Sequence, residues 1–369
     1  MVEFRLDEDQ RQIQEMFGKF GQEELGKIAR ECDEKAELPD SLLDKVWELG
    51  IATNSIPESY GGYELGRSVV TSAIMAEELA AGDLSLAMGA MSPLLMMVPI
   101  LEFGTEEQKK EWLPKFCGDK FYKATAALME PRVTFSPTDI RTTVEVSGNN
   151  LILNGVKCMV PLANDAEQIL VYASTAKGAG PSSVHAIIVD KGTQGMTIGE
   201  REEYMGLRPL PMYTVTFKDC EVPANRKVGE AASVDYMRLL NISRAITCAM
   251  AVGVARASNR YALDYARDRE AFGEPIASRQ AIAFMLAESA MEIDGMRLLA
   301  WRTAWRLDRN EDATRDATLA KMYCADQTMK VVDYGVQILG GHGYIREYPI
   351  ELYFRNGRAI STIDGLAMA

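Results

Sequence analysis

Residues 142–160 read TTVEVSGNNLILNGVKCMV. Aliphatic and polar residues alternate on both sides of Gly148-Asn149-Asn150, a pattern that predicts two strands joined by a hairpin. The same character continues outward. QILVYAST (168–175), VHAIIVD (184–190) and YTVTFKDCEVP (213–223) are short β-rich runs separated by Gly, Pro and Ser. No helical crossover is legible between them. An antiparallel β-barrel or sandwich is therefore expected over residues 121–228.

Both flanks change period. In residues 1–120, PDSLLDKVWELG (39–50) has a Pro-Asp start, helically spaced apolar residues and Gly50 as a stop. GTEEQKKEWLPKF (104–116) offers Thr105 and Gln108 as a capping box. In residues 229–369, Ile282, Leu286, Ile293, Met296, Ala300, Ala304 and Leu307 recur in steps of one or two helical turns. They mark one buried stripe of a long helix. The expected order is an N-terminal helical domain, a central β-domain and a C-terminal four-helix-type bundle: a mostly α chain.

Composition narrows the function. The chain has 369 residues, 47% hydrophobic and 25% charged, which is ordinary for a globular protein of two or three units. Forty Lys and Arg against 53 Asp and Glu leave a formal charge of −13. No basic run stands out, which argues against nucleic acid or an anionic membrane surface as partner. AMGAMSPLLMMVPIL (87–101) is the most apolar stretch, but Pro93 and Pro99 interrupt it, so a buried helix is expected and no membrane span. The six cysteines are scattered with no CxxC pair, and the acidic start MVEFRLDEDQ is unlike a signal or transit peptide. A cytoplasmic location follows as an expectation. Two histidines, His185 and His342, exclude a His-rich metal site, and no metal is expected.

Four motifs carry a resemblance. IPESYGG (56–62) and MGLRPLPMYTVTFKDCEVP (205–223) are two of them. YARDREAFGEPIASRQAI (265–282) and QILGGHGYIREYPIELYFRN (337–356) are longer, and stand in order about 60 residues apart. Together with the helix–β–helix order they resemble the acyl-CoA dehydrogenase flavoprotein family over nearly the whole chain. The resemblance implies FAD between the β-unit and the C-terminal bundle, an acyl-CoA substrate and an electron-transfer flavoprotein as redox partner. It implies a carboxylate that removes the acyl α-proton while the β-hydride passes to flavin. It also implies a dimer or tetramer, homomeric or heteromeric, in which one chain reaches the FAD of its neighbour. The residues it assigns to that contact are Arg269, Phe272, Gln280, Gln337, Gly340 and Gly341. An arginine is the natural charge-assisted donor to a pyrophosphate, and paired glycines let backbone approach closely.

The ring side departs from the family pattern. The usual T-E-P-x-A-G-S-D is MEPRVTFSPTD here (129–139), the usual W-I-T is MVP (159–161), and Leu210 replaces a serine or threonine. Hydroxyls are thereby lost at Met129, Pro161 and Leu210. The family base lies in Y-E-G-T; a gapless continuation puts Asp364-Gly365 on that Glu-Gly and Leu366 on the threonine. Asp364 is the expected general base, one methylene shorter than glutamate, and the family's following cofactor-contacting helix is not expected after it. Arg244, in NISRAITCAM, stands where the family often has an arginine near the acyl-CoA pocket and is assigned to substrate. Buried methionines Met88, Met91, Met96 and Met97 suit either an acyl tunnel or ordinary core. Three readings stay open: an FAD-dependent acyl-CoA dehydrogenase working in either direction, an inactive subunit completing a heteromeric dehydrogenase, and an acyl-carrier-protein-linked oxidase.

Overall fold

The computed structural model describes residues 4–63, 66–229 and 234–365. Leu366 and the three residues after it lie outside that range.

Seven helices come first. They are α1 (Glu8–Phe20), α2 (Gly26–Lys35), α3 (Asp40–Glu48), α4 (Val69–Gly82), α5 (Leu84–Met91), α6 (Leu94–Phe103) and α7 (Glu106–Trp112). A π-helical turn, Gly21–Leu25, joins α1 to α2. The capping box at Thr105 and Gln108 forms as read from sequence. The α5–α6 pair bends by 41° at its break and is buried on every side, so it is core. A later helix, Tyr236–Asp268, also has the length and apolarity of a membrane span, but 83% of its apolar window is buried inside the protein.

Seven strands follow in one sheet: β1 (Ala124–Ala127), β2 (Thr143–Ser147), β3 (Asn150–Pro161), β4 (Gln168–Ser174), β5 (Val184–Asp190), β6 (Met196–Arg201) and β7 (Met212–Pro223). Ser147 pairs with Asn150 across the two-residue turn, with Gly148 at φ +60°. The β2–β3, β3–β7, β6–β7 and β4–β5 ladders are antiparallel. The sheet is nonetheless mixed, because β1 joins β4 in parallel. β1 enters straight from the helical domain, and the 40 or so residues separating it from β4 leave its direction free of any hairpin constraint. Leu170, Tyr172, Ala186 and Ile188 face the helical core, while Ile169, Val171, Ile187 and Val189 face the sheet's own core. Burial on both faces explains why these strands read as unbroken apolar runs.

The C-terminal bundle contains α8 (Tyr236–Asp268), a two-stranded ribbon of β8 (Glu270–Ala271) and β9 (Glu274–Pro275), α9 (Gln280–Asp308), α10 (Thr314–Leu339), α11 (Gly341–Tyr344) and α12 (Ile350–Ala359). The predicted α9 stripe is buried from Leu286 to Leu307, with Ile282 half-buried. Buried carboxylates lock the N-terminal helices to this bundle. Glu77 accepts from Arg297 at 3.0 Å, Glu78 from Arg256 at 2.6 Å, and Asp33 from Arg355 at 2.7 Å. Such charges stay buried only because each is paired.

Candidate active site

Asp364 and Arg244 are 120 positions apart in sequence and meet in space. Arg244 lies in the third turn of α8, and Asp364 lies five residues past the end of α12. Arg244 Nη2 donates to Asp364 Oδ2 at 2.8 Å, and Nε donates to Oδ1 at 3.1 Å. The third nitrogen, Nη1, donates to Thr318 Oγ1 of α10 at 3.2 Å. All three guanidinium nitrogens thus have intrachain partners. Arg244 thereby orients the Asp364 carboxylate within its own chain. Both side chains keep partial solvent access, 12% and 20% exposed. The carboxylate is thus oriented by the fold without being sealed from solvent.

The turn carrying Asp364 is pinned at three points. Lys321 Nζ of α10 donates to the carbonyl of Ile360 at 2.7 Å. Ile363 is buried. Gly365 has φ +77°, and a Cβ there would lie 2.6 Å from Leu128 Cδ1, so the position demands glycine. Burial pushes Lys321 below the usual lysine range, against the opposing pull of Asp364. Beneath the pair, Tyr236 is buried and donates from its hydroxyl to the Pro137 carbonyl at 2.7 Å. Burial raises its phenol well above the usual range, and Tyr172 and Asp364 add to the effect.

The 129–139 loop is built on Glu130. Its carboxylate accepts from the backbone N–H of Thr142 at 2.7 Å and of Arg141 at 3.0 Å, and from Lys157 Nζ at 3.1 Å. Lys157 has no exposed surface and also donates to the Leu128 carbonyl. Burial pushes it down to about 8, with Glu130 opposing. The pair is structural, and sequence reasoning missed its lysine: one cation inside a strand leaves no periodic signal. The hydroxyls lost at Met129, Pro161 and Leu210 are not replaced in kind. Met129 and Leu210 are buried apolar side chains, and Pro161 pairs with Met212 in the β3–β7 ladder.

The six residues assigned to cofactor contact all lie elsewhere, at the far end of the bundle. Arg269 follows the last turn of α8, Phe272 tips the β8–β9 ribbon, Gln280 opens α9, and Gln337, Gly340 and Gly341 close α10. A small apolar cluster including Ile276, Ile282, Ile338 and Leu339 draws these segments together. All six residues are exposed, and Phe272 is 97% exposed with its backbone in the left-handed region at φ +56°. A Cβ on Gly341 would touch nothing within 4 Å, so no contact within this chain requires glycine there. An exposed cation, an exposed aromatic ring and open glycines fit a phosphate-bearing aromatic group approaching from outside the chain.

Domain models of one family match in order: the acyl-CoA dehydrogenase N-terminal domain over residues 7–120, its middle domain over 125–220 and its C-terminal domain over 235–367. The mitochondrial short-chain specific acyl-CoA dehydrogenase of Rattus norvegicus is 31% identical over 364 residues, covering 98% of this chain and 87% of that protein. The butyryl-CoA dehydrogenase structure from Megasphaera elsdenii superposes with a TM-score of 0.89 at 30% identity, covering 97% of this chain and 95% of that one. A glutaryl-CoA dehydrogenase from Mycobacterium smegmatis, in complex with FADH2, superposes with a TM-score of 0.86 at 26% identity, covering 98% and 92%. With its three domains matched in order over nearly their whole length, the chain belongs to the acyl-CoA dehydrogenase family.

Proposed function

We propose that this chain desaturates a short acyl-CoA thioester between its α and β carbons, with Asp364 as the base that takes the α-proton. The observation that carries this is the Arg244–Asp364 pair, oriented and partly open to solvent. The chain is an FAD-dependent oxidoreductase acting on a CH–CH group. The two-electron acceptor for the hydrogen leaving the β carbon would be supplied by FAD when bound. Similarity to named dehydrogenases over all three domains favours this reading over a non-catalytic subunit. Two observations support a short acyl group. Met88, Met91, Met96 and Met97 are at most 2% exposed and belong to the packed core. The relatives include a short-chain specific enzyme and a butyryl-CoA dehydrogenase.

Assembly belongs to the same proposal. Arg244 and Arg269, which caps α8, are 25 positions apart, about 37 Å along the helix. That distance supports a role for the exposed end at the cofactor of another chain rather than beside its own Asp364. Arg269 would hold the pyrophosphate, with Phe272, Gln280, Gln337, Gly340 and Gly341 around it. On α9, Phe284, Met291 and Leu298 are 57%, 68% and 44% exposed and recur every seven residues, giving one outward apolar stripe. Such a stripe suits burial against a second copy or a related subunit. An electron-transfer flavoprotein is the proposed acceptor, and six free cysteines support a cytoplasmic location.

The test is anaerobic mixing of the yellow FAD-containing protein with butyryl-CoA. Bleaching of the flavin with formation of the 2,3-enoyl thioester is expected. Absence of bleaching with every saturated acyl-CoA tried would overturn the assignment.

A further inference from the structure

One face of α10 is polar where the helix runs beneath the site. Thr314, Thr318 and Lys321 stand at i, i+4 and i+7, so they line up on that face. Each holds a different part of the surroundings of Asp364. Thr314 Oγ1 accepts from Asn241 Nδ2 of α8 at 3.0 Å. Thr318 Oγ1 accepts from Arg244 and donates back to the Thr314 carbonyl at 2.8 Å. Lys321 donates to Ile360, the residue that ends α12 and is itself fully buried. Between Ile360 and Asp364 the chain is tied back to the end of α12. The N–H groups of Thr362 and Ile363 both return to the Ala359 carbonyl, at 2.9 and 3.0 Å. A shift of Ile360 is therefore carried to Asp364.

We propose that Lys321 is a positioning residue for the base, fixing the Asp364 turn at the depth that its short side chain needs. The inference rests on the reading of Asp364 as base. An aspartate reaches one methylene less far than a glutamate, so the backbone supporting it has to be held inward. Lys321 supplies a fixed point on that backbone, and Thr318, one turn earlier on the same helix, supplies a fixed point for Arg244. Helix α10 thus sets the spacing between the two members of the ion pair. The plainer role, a cation on an unpaired carbonyl at a helix C-terminus, accounts for the hydrogen bond but predicts an effect on stability alone.

The test compares Lys321→Met, Lys321→Gln and Lys321→Arg in the FAD-loaded protein with butyryl-CoA as substrate, alongside Asp364→Asn. Backbone amide exchange over residues 360–364 is measured on the same samples. Misplacing a reacting group by about 1 Å costs up to about 100-fold. Lys321→Met is therefore expected to lower kcat by about 10- to 100-fold, to leave KM within about twofold, and to speed amide exchange in that segment. Lys321→Arg, which keeps the charge and a donor, should recover most of the loss, and Lys321→Gln, which keeps only a donor, should recover part of it. Wild-type kcat in Lys321→Met would overturn the proposal. So would a loss of kcat that follows melting temperature and is not recovered by Lys321→Arg, since that is the signature of a helix cap. Wild-type turnover in Asp364→Asn would remove the base assignment itself and the proposal with it, whatever the Lys321 variants do.

Discussion

At the start of α8, Arg244 directs its guanidinium to Asp364 and Thr318 of its own chain. At the end of the same helix, Arg269 is exposed beside a ribbon whose Phe272 stands almost fully in solvent. The first end is complete within one chain. Its carboxylate has a partner, its turn has three anchors, and its glycine is required by a φ of +77°. The second end is open: Gly341 has free space around it, and the Phe272 ring meets the Arg279 guanidinium at 5.8 Å but has no apolar cover. The two ends should therefore fail differently when altered.

The largest expected effect is at the closed end. Asp364→Asn should lower turnover with butyryl-CoA by ~10²–10⁴-fold, the usual contribution of a general base, while leaving FAD content unchanged. Loss of FAD in this variant would show that the two ends are not separable.

Next comes Arg269→Ala. A charge-assisted hydrogen bond contributes roughly 1.5–3 kcal/mol, so FAD should be retained about ten- to a hundredfold less tightly. The melting temperature of the FAD-free protein should not move, because Arg269 is exposed and has no described side-chain contact to lose. A fall in that melting temperature would make Arg269 part of the fold.

The smallest effect sharpens the contrast. Gly341→Ala should change the stability of the FAD-free protein by less than about 0.5 kcal/mol, as expected for an open surface position. The same substitution should weaken FAD retention severalfold if the glycine is there for close approach. Equal retention in equilibrium dialysis would remove Gly341 from the contact.

How far the sequence reaches differs between fold and site. The hairpin at Gly148 and the α9 stripe were legible because period 2 and period 3.6 survive in the residues themselves. The parallel pairing of β1 with β4 was not, since a strand's neighbour depends on chain path rather than on local pattern. Arg244 and Asp364 were both singled out, but their pairing was not, because 120 intervening residues hide it. Thr314, Thr318 and Lys321 were missed altogether. Their signal was present: three polar residues share a face of a helix whose neighbouring positions Ala317, Ala320 and Cys324 are buried. A polar seam beside a buried stripe is a call for partners, and only the fold supplies them.

The central claim is that each site joins the closed end of one chain to the open end of another. Co-expression of Asp364→Asn, impaired in the base, with Arg269→Ala, assayed at an FAD concentration where the Arg269→Ala protein alone is empty, tests it most directly. In a mixed dimer one site then carries both defects and the other carries neither. Random pairing makes about half of the dimers mixed, so about a quarter of all sites should be complete, with activity near a quarter of the wild-type level. Activity no higher than that of the two variants measured separately would place both residues in one chain's site and contradict the account.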